Sequence, residues 1–487
     1  MITRTSAILF FSCFIFSKVS AQQVSKTYLD ASNRATNTSD KTVVAPAKGP
    51  LQPLAENPNY FTDGSGKAIY LVGSHTWSNF QDMQFEGDKK FDYDQYMDFM
   101  VENHFNFMRF WTFEQSAWAT WTPEKLIVDP VPYLRTGPGW AIDGKPKYDL
   151  TKFDQSYFDR MRARIIKARD HGIYASIMLF QAFSGIVTKF PGHDNNVFRG
   201  HYYNKDNNIQ NFNGDKNGDK VLDIDDPKVR EYQAAYIRKI IDNVWDLDNV
   251  LYEVINEGGT LDWDRFVIKT VEDYEKTKGK QHPIGITGHG CEKLEDMLQS
   301  TAQWISPGSN DGPGFEDIGN NPPLWNGKKV SVLDTDHIWG LGIDYHWVWY
   351  SFLRGHNVLF MDPWDPLPAP ENPERNIPDL YNYVQGRKAM KNTAILASQL
   401  NLAVMKPSKD IASSGFCLAH TGKEYVVYVK ADSATIDFTG ITGNFSVEWM
   451  HPTEGFITKD KDIKGGGKET LSTPFKEDAI AHIKLIE

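Results

Sequence analysis

The chain has 487 residues, of which 40% are hydrophobic and 24% charged, and this composition excludes a mainly disordered protein. Such a length accommodates roughly three domains of average size, or one α/β barrel of about 250 residues or more followed by a small domain. The formal net charge of −11 disfavours nonspecific binding to nucleic acids and to anionic membranes, and three cysteines are too few for a disulfide framework.

The first 21 residues predict a signal peptide. Arg4 supplies a positive start, an apolar run extends from Ala7 to Phe16, and Val19-Ser20-Ala21 resembles a small-residue cleavage site. The run is shorter than the roughly 20 residues that cross a bilayer, which disfavours a membrane anchor. We therefore expect an exported protein, periplasmic or extracellular, without a membrane span in its mature part.

Residues 22–50 are polar and aperiodic and end in a segment rich in Pro and Ala, so we interpret them as a linker. From residue 51 to about 400, short apolar runs alternate with helical patterns. One helix is predicted around Phe158 and ends at Gly172, another is capped by Asp226-Pro227, and a third follows Asp262. The apolar runs are Ile69–Gly73, Phe105–Trp111, Ile173–Phe180, Val250–Ile255, Pro283–Thr287, Ala302–Ile305, Val330–Leu333 and Val358–Met361.

Apolar strands that alternate with helices are typical of a parallel sheet covered on both faces. Eight such units predict an α/β fold, a closed (β/α)8 TIM barrel over residues 51–400. An open doubly wound sheet is the alternative, but no Gly-rich phosphate-binding loop follows an early strand. After residue 400 the apolar residues alternate, as in Tyr425–Val429 and Phe445–Trp449, which predicts a small antiparallel β-sandwich over residues 401–487.

Carboxylates follow two of the predicted barrel strands, where TIM barrels carry their active sites. Glu257 ends the fourth strand, and Asp334 and Asp336 end the seventh, which lies across the barrel mouth. Glycoside hydrolysis requires one protonated carboxyl and one ionised carboxylate, so these residues are the candidate catalytic set. The alternative interpretation is that Asn256-Glu257 caps a helix and the two aspartates are solvated loop acids.

Other polar and aromatic residues near the predicted strand ends are candidates for substrate binding, because aromatic rings cover the apolar faces of sugars and polar side chains bond their hydroxyls. Some of the tryptophans are expected to pack in the core instead. The candidates are His75, Trp77, Arg109, Trp111, Gln181, Asn256, His289, Trp304, His337, Trp339, Asp362 and Trp364.

The motifs Asn106-Phe107-Met108-Arg109 and Asn256-Glu257, with an acid on strand seven, resemble those of clan-A glycoside hydrolases. Gly73-Ser74-His75-Thr76-Trp77 and the sandwich segment from Val447 to Gly455 resemble the apiosidase-like branch, whose C-terminal domain is named for collagen binding. The resemblance covers residues 55–487 and implies that Glu257 is the acid/base and the strand-seven acid the nucleophile. The clan usually has glutamate on strand seven, whereas this chain has aspartate there.

Aspartate is one methylene shorter than glutamate, so both retaining and inverting stereochemistry stay open. Asp334 aligns with the nucleophile position and is the first candidate. Asp336 would share its strand face if the strand stays regular, and is the second.

The sequence predicts no cofactor, with one exception that concerns calcium. Asp215, Asn217 and Asp219 alternate like the ligands of a calcium loop, although Lys220 and Asp226 depart from the EF-hand pattern, and a solvated acidic loop is the alternative. No His-x-x-x-His spacing, nucleophile elbow or Walker loop occurs, which disfavours zinc, esterase and nucleotide chemistry.

These features together predict an exported glycoside hydrolase that cleaves a poly- or oligosaccharide. The alternatives are a noncatalytic surface protein that binds carbohydrate or collagen, and an inverting hydrolase or a lyase on the same fold. The sequence does not specify the sugar, the linkage or the oligomeric state.

Overall fold

The structure is a computed structural model that describes residues 44–120, 122–185, 196–214, 220–288, 293–309, 311–312, 314–325, 327–364 and 383–486. The predicted signal peptide and most of the predicted linker therefore lie outside the described residues. Residues from Val44 onward form one compact unit. Within the described ranges, no helix combines the length and the apolar character that crossing a bilayer requires.

Eight parallel strands close into a barrel, which confirms the predicted fold class. Each strand is buried along its whole length because helices cover its outer face and side chains fill the interior. Each strand also falls within or next to one of the apolar runs of the sequence. The barrel strands, numbered one to eight in chain order, are Val72–His75, Phe107–Phe110, Tyr174–Gln181, Val250–Asn256, Ile284–Thr287, Trp304–Ser306, Val330–Asp334 and Asn357–Met361.

The helices begin at side-chain caps that the sequence shows in part. The Asp226 carboxylate accepts a hydrogen bond from the backbone of Lys228, as predicted, and Thr260 caps the next helix, which begins at Leu261, one residue before Asp262. Gly172, two residues past a helix end, has a φ of 74°, which favours glycine there. The helices are α1 Tyr93–Glu102, α2 Gln155–Asp170, α3 Pro227–Val244, α4 Leu261–Glu275, α5 Leu294–Gln299, α6 Tyr345–Leu353 and α7 Tyr383–Gln399, and short 3₁₀ turns cover Ala182–Gly185, Val197–Arg199, Lys220–Leu222 and Thr335–His337.

The segment that precedes the barrel closes its amino-terminal end. Ala47, Leu51 and Phe61 are buried there in a cluster with the first residues of several strands. The Tyr174 hydroxyl donates to the carbonyl of Lys48 at 2.7 Å. Residues 44–50, which the sequence assigns to the linker, are therefore packed against the barrel. Two short strands, Gln52–Pro53 and Phe61–Thr62, pair antiparallel in this segment.

An insertion between strand two and α2 carries antiparallel strands that the sequence analysis does not predict. Its longest part is a hairpin, in which Arg135 forms an ion pair with Asp143 and lies over the ring of Tyr148, with 4.0 Å between the guanidinium carbon and the ring centroid. Near the end of this hairpin Trp140 is 72% exposed. The strands of this insertion are Ala117–Ala119, Thr122–Asp129, Tyr133–Trp140 and Pro146–Phe153, and Asp82–Gln84, from the segment between strand one and α1, pairs with Thr122–Asp129.

The C-terminal residues form antiparallel sheets that fit the predicted β-sandwich. Its apolar residues divide between an internal core and the face that meets the barrel. At that face the rings of Tyr350 and Phe416 stack with 3.9 Å between centroids, and the Trp349 indole donates to the carbonyl of Pro452 at 3.0 Å. The strands are Lys406–Pro407, Cys417–His420, Glu424–Val429, Ser433–Asp437, Asn444–Met450, Ile457–Lys459, Ile463–Lys464, Lys468–Ser472 and Ala479–Leu485.

Candidate functional site

Arg109 is the centre of a charged cluster at the carboxyl ends of the barrel strands. It is the third residue of strand two, and its side chain is only 1% exposed. Its Nη1 donates to Asp336 Oδ2 at 3.1 Å and lies 3.4 Å from Asp334 Oδ2, and its Nη2 donates to Asn256 Oδ1 at 2.7 Å. The guanidinium therefore joins the ends of strands four and seven, which the sequence predicts to face each other.

The Asp334 carboxylate accepts hydrogen bonds from several donors. His75 Nε2 lies 2.9 Å from Asp334 Oδ1, and the backbone N–H of Asp336 donates to the same oxygen at 3.0 Å. The Trp111 indole lies 2.5 Å from Nδ1 of His75. Because an indole N–H can only donate, Nδ1 is the acceptor and Nε2 carries the proton that His75 donates to Asp334.

Burial alone would raise the pKa of the Asp334 carboxyl. The contacts with His75, Arg109 and His337 outweigh that effect and hold the pKa well below its usual range. Asp334 is therefore ionised across the physiological pH range. Its side chain is 1% exposed, against 7% for Asp336.

Strand seven does not stay regular to the second aspartate. It ends at Asp334, and Thr335–His337 form a 3₁₀ turn for which the Asp334 carboxylate is the N-cap. The expectation that the two aspartates share a strand face is therefore wrong, because the backbone turns between them. Asp336 lies in this turn with its Oδ2 3.7 Å from Nε2 of His337.

Glu257 follows strand four with a φ of 54°, in the left-handed region that non-glycine residues rarely adopt. Burial and the negative charge of Asp336 raise the pKa of Glu257 to about 8, with a smaller contribution from Asp334, and Arg109 acts in the opposite direction. Glu257 is therefore largely protonated at neutral pH, although a carboxylic acid in water is ionised there. Asp336 has a stronger electrostatic effect on it than Asp334 has.

Amide and imidazole groups complete the polar floor of the site. Asn256 Oδ1 lies 3.1 Å from Nε2 of His337, and Asn256 Nδ2 donates to Gln181 Oε1 at 3.2 Å. Gln181 is 1% exposed, and its Nε2 has no hydrogen-bond partner among the described residues. A buried amide without a partner commonly bonds to water or a ligand, so this N–H group is available to a bound molecule.

The predicted aromatic and acidic binding residues divide between the site and the core. Trp111 is close to Arg109, whose guanidinium carbon is 5.1 Å from the indole centroid, and Trp77 contacts Trp111 edge to face at 6.4 Å. Trp304, by contrast, is the first residue of strand six and lies in the buried cluster at the amino-terminal end of the barrel. The structure therefore does not bring Trp304 to the mouth.

Three further candidates have partners within the fold. Trp364 packs against the aromatic side chains of α1, with 5.1 Å between its centroid and that of Tyr96. Trp339 contacts Trp347 at 5.2 Å. Asp362 is fully buried in an ion pair with Arg387, whose charge opposes the increase in its pKa that burial causes. These three residues contribute to packing around the barrel.

The sequence analysis assigns no role to Glu253, which lies on strand four, three residues before the last residue of the strand, Asn256. Its Oε2 accepts from Arg109 Nε at 2.8 Å, its Oε1 accepts from Arg109 Nη2, and Thr287 Oγ1 also donates to Oε1 at 2.8 Å. Glu253 lies inside a predicted strand and not at its end, where TIM barrels carry their active sites. A charged residue inside the otherwise apolar run Val250–Ile255 was the signal that could have identified it.

Some predicted residues fall outside the described part of the chain. These are His289 and the calcium candidates Asp215, Asn217 and Asp219. Among the described residues, no group of His, Cys, Asp and Glu side chains has the arrangement of a metal site. The calcium site therefore stays a prediction.

Comparisons with known proteins agree with this fold. A family model described as "Domain of unknown function (DUF6298)" matches residues 119–290. A comparison with the curated proteins finds no match. A solved glycoside hydrolase family 5 structure from Bacteroides vulgatus ATCC 8482 is 11% identical, with 89% of this chain and 93% of that chain covered and a TM-score of 0.58.

A second structure, described as a glycoside hydrolase, is 12% identical, with 90% of this chain and 97% of that chain covered and a TM-score of 0.53. At these identities the similarity establishes the fold and leaves residue roles to the geometry of the site. The fold is a TIM barrel of the kind found in glycoside hydrolases, joined to a C-terminal antiparallel β-domain.

Proposed function

We propose that the chain is a glycoside hydrolase, with Glu257 as the general acid and Asp336 as its ionised partner. The observation that carries the proposal is the contrast between two carboxyl groups: Asp336 accepts from Arg109 at 3.1 Å, whereas burial and the charge of Asp336 raise the pKa of the partly buried Glu257 to about 8. Glycosidases need two carboxyl groups in opposite protonation states, and environments that separate the pKa values of paired carboxyls are how such sites produce them.

Glu257 donates its proton to the oxygen of the departing sugar, because burial and the charge of Asp336 keep it protonated at neutral pH. Asp336 then acts on the anomeric carbon, directly or through a water molecule, and the two routes leave different anomers. Arg109 stabilises the ionised aspartates by donating toward both of them. We expect kcat/KM to decrease as the pH rises through about 8, since Glu257 then loses its proton.

In this proposal Asp334 is a positioning residue. The donors around it already use Oδ1 twice, and it caps the turn that carries Asp336. This assignment differs from the one based on the sequence resemblance, which favours Asp334 as the nucleophile or base. The greater exposure of Asp336 and its stronger effect on Glu257 support the change.

The residues around the acid are suited to holding a sugar. The unpartnered Nε2 of Gln181 can donate to a hydroxyl. Asn256 bonds to Gln181, and His337 bonds in turn to Asn256, so both lie close to that group. Trp77, which is partly exposed and packs edge to face on the buried Trp111, offers an apolar ring. The sequence resemblance to the apiosidase-like branch and the predicted signal peptide support an exported enzyme that acts on a poly- or oligosaccharide.

The experiment compares the wild-type protein with Glu257→Gln on a panel of polysaccharides, with the product anomers identified by NMR. Loss of the general acid should reduce turnover by about 10²- to 10⁴-fold while binding of the same sugar is retained. Glu275→Gln is the matched control, because Glu275 is also buried but bonds to Tyr252 and His282, outside the cluster around Arg109. Full activity of Glu257→Gln would exclude the proposed acid.

The same panel tests the rival function, a noncatalytic protein that binds carbohydrate or collagen. Such a protein would bind a sugar or collagen without releasing product. Neither the wild type nor Glu257→Gln would then form product over time. The different environments of Glu257 and Asp336 favour the hydrolase, because a binding surface does not require a carboxyl group that is kept protonated.

A further inference from the structure

The charge of Arg109 poses a problem for the proposed acid. A guanidinium close to Glu257 lowers the pKa of that carboxyl and so favours the ionised form, which cannot donate a proton. The same guanidinium stabilises the two aspartates that must stay ionised. A hydrolase with this cluster therefore needs a way to direct the guanidinium toward the aspartates of strand seven. It also needs a way to weaken the effect of the guanidinium on the pKa of Glu257.

Glu253 has the geometry to do both. It takes the Nε–Nη2 edge of Arg109 in a two-point contact, which leaves Nη1 directed at Asp334 and Asp336. A two-point carboxylate contact fixes the plane of a guanidinium as well as its position. Thr287, on strand five, donates to Glu253 and holds it from the other side.

The pair is also buried, so its charges act over a longer range than exposed charges do. Glu253 is 2% exposed and Arg109 is 1% exposed. Water does not screen such a pair effectively, and a full negative charge in contact with the guanidinium offsets much of its field beyond the contact. Without Glu253, only Asp334 and Asp336 would offset the positive charge of Arg109, and its effect on Glu257 would be stronger.

We propose that Glu253 is a positioning residue of the hydrolase, which clamps Arg109 toward strand seven and offsets its charge so that Glu257 keeps its proton. This inference rests on the proposed function. A bond that only stabilised the barrel would hold the fold together without affecting the protonation of Glu257. The two roles therefore differ in a measurable property, the pH at which Glu257 ionises.

The test is the pH profile of kcat/KM for Glu253→Gln. The amide has nearly the same size but no charge, so the charge of Arg109 is offset less and favours the ionised form of Glu257 more strongly. The alkaline limb of the profile should move to lower pH by about one pH unit. Glu275→Gln is the control, because it removes another buried carboxylate and should reduce stability without moving the limb.

An alkaline limb that stays in place in a folded Glu253→Gln protein would overturn the inference. A second variant covers the case in which Glu253→Gln does not fold. Glu253→Asp keeps the charge but shortens the side chain, so the limb should stay where it is in the wild type while kcat decreases, because Arg109 is no longer clamped. An unchanged kcat in Glu253→Asp would overturn the clamp.

A measurement without substrate separates this inference from the proposed function. The infrared band of the protonated Glu257 carboxyl is identified by its absence from Glu257→Gln, and its titration is followed in the wild type and in Glu253→Gln. The band should disappear at lower pH in Glu253→Gln even if the protein hydrolyses none of the sugars tested. Identical titrations would contradict the role of Glu253, whatever the activity of the wild type.

Discussion

Glu257 combines a partly buried acid with a backbone conformation that most residues avoid. Its φ of 54° costs roughly 1–2 kcal/mol for a residue with a side chain. Its carboxyl is also withdrawn from water, which raises the pKa to about 8 together with the charge of Asp336. Both features oppose folding, so the rest of the barrel must hold this residue in place.

The two aspartates of strand seven should differ in their effect on turnover. Asp336→Asn removes the carboxylate that acts most strongly on Glu257, and we expect kcat to decrease by about 10³-fold or more. Asp334→Asn keeps an oxygen that accepts from His75 and from the backbone of residue 336, so a loss of about 10-fold is expected. Steady-state kinetics on one substrate compares the two variants. A larger loss in Asp334→Asn would restore the assignment made from the sequence.

The residues of the site were predictable to the extent that strand ends are visible in a sequence. Glu257 and the two aspartates follow apolar runs, Arg109 lies near the end of one, and the structure brings them together. The direction of a side chain is not visible in the same way. Trp304 begins its strand rather than ending it, and the adjacent Gly285 leaves room for its ring at the closed end of the barrel.

Helix α6 explains why the barrel and the C-terminal domain share a core. Apart from its first turn it is buried all round, since one side packs on the barrel and the other meets the sandwich. Trp349 donates to Pro452, and Asn392 on α7 donates to the same carbonyl at 3.0 Å. These contacts hold the turn around Pro452 against the barrel from two helices.

Replacement of Trp349 tests the strength of this contact. Trp349→Phe removes the hydrogen bond to Pro452 and leaves a small cavity, so the free energy of unfolding should decrease by about 1–3 kcal/mol. Trp140→Phe is the matched control, because Trp140 is 72% exposed and its replacement should change stability by less than about 0.5 kcal/mol. Urea unfolding measures both values. Equal stabilities of the two variants would show that the interface contributes little.

The sequence does not predict the hairpin formed by Tyr133–Trp140 and Pro146–Phe153. Most residues of its first strand are at least partly exposed, so no alternation of apolar and polar residues marks the strand. The first strand contains two glycines and a proline, residues that are depleted in strands and common in turns. The barrel strands were predictable for the opposite reason, since each is buried on both faces and forms a continuous apolar run.

At the scale of the whole molecule, the raised pKa of Glu257 links stability to pH. The folded protein keeps the proton of Glu257 up to a pH of about 8, whereas the unfolded chain loses it near 4.5. The folded state therefore binds more protons between these values, and the free energy of unfolding decreases as the pH rises through this window. The contribution levels off above a pH of about 8.

Glu257→Gln should remove this dependence. The variant has no proton to lose, so its stability should exceed that of the wild type by an amount that increases from pH 4.5 to about 8. Each unit of pKa difference corresponds to about 1.4 kcal/mol, which makes a gain of a few kcal/mol the upper limit. Thermal unfolding at several pH values gives the difference. Glu86→Gln, at an exposed position, is the control and should show no such trend.

The closed lower end of the barrel determines how the molecule can be attached to a surface. Val44 lies against Gly172, just before the start of strand three, and residues 47–51 cover the same end. The carboxyl cluster lies at the other end of the same strands. A protein trimmed to begin at Val44 and immobilised through that residue would hold its open mouth toward the surrounding solution, where long polymers have free access. Attachment through a residue of the loops around Glu257 would instead turn the mouth toward the support.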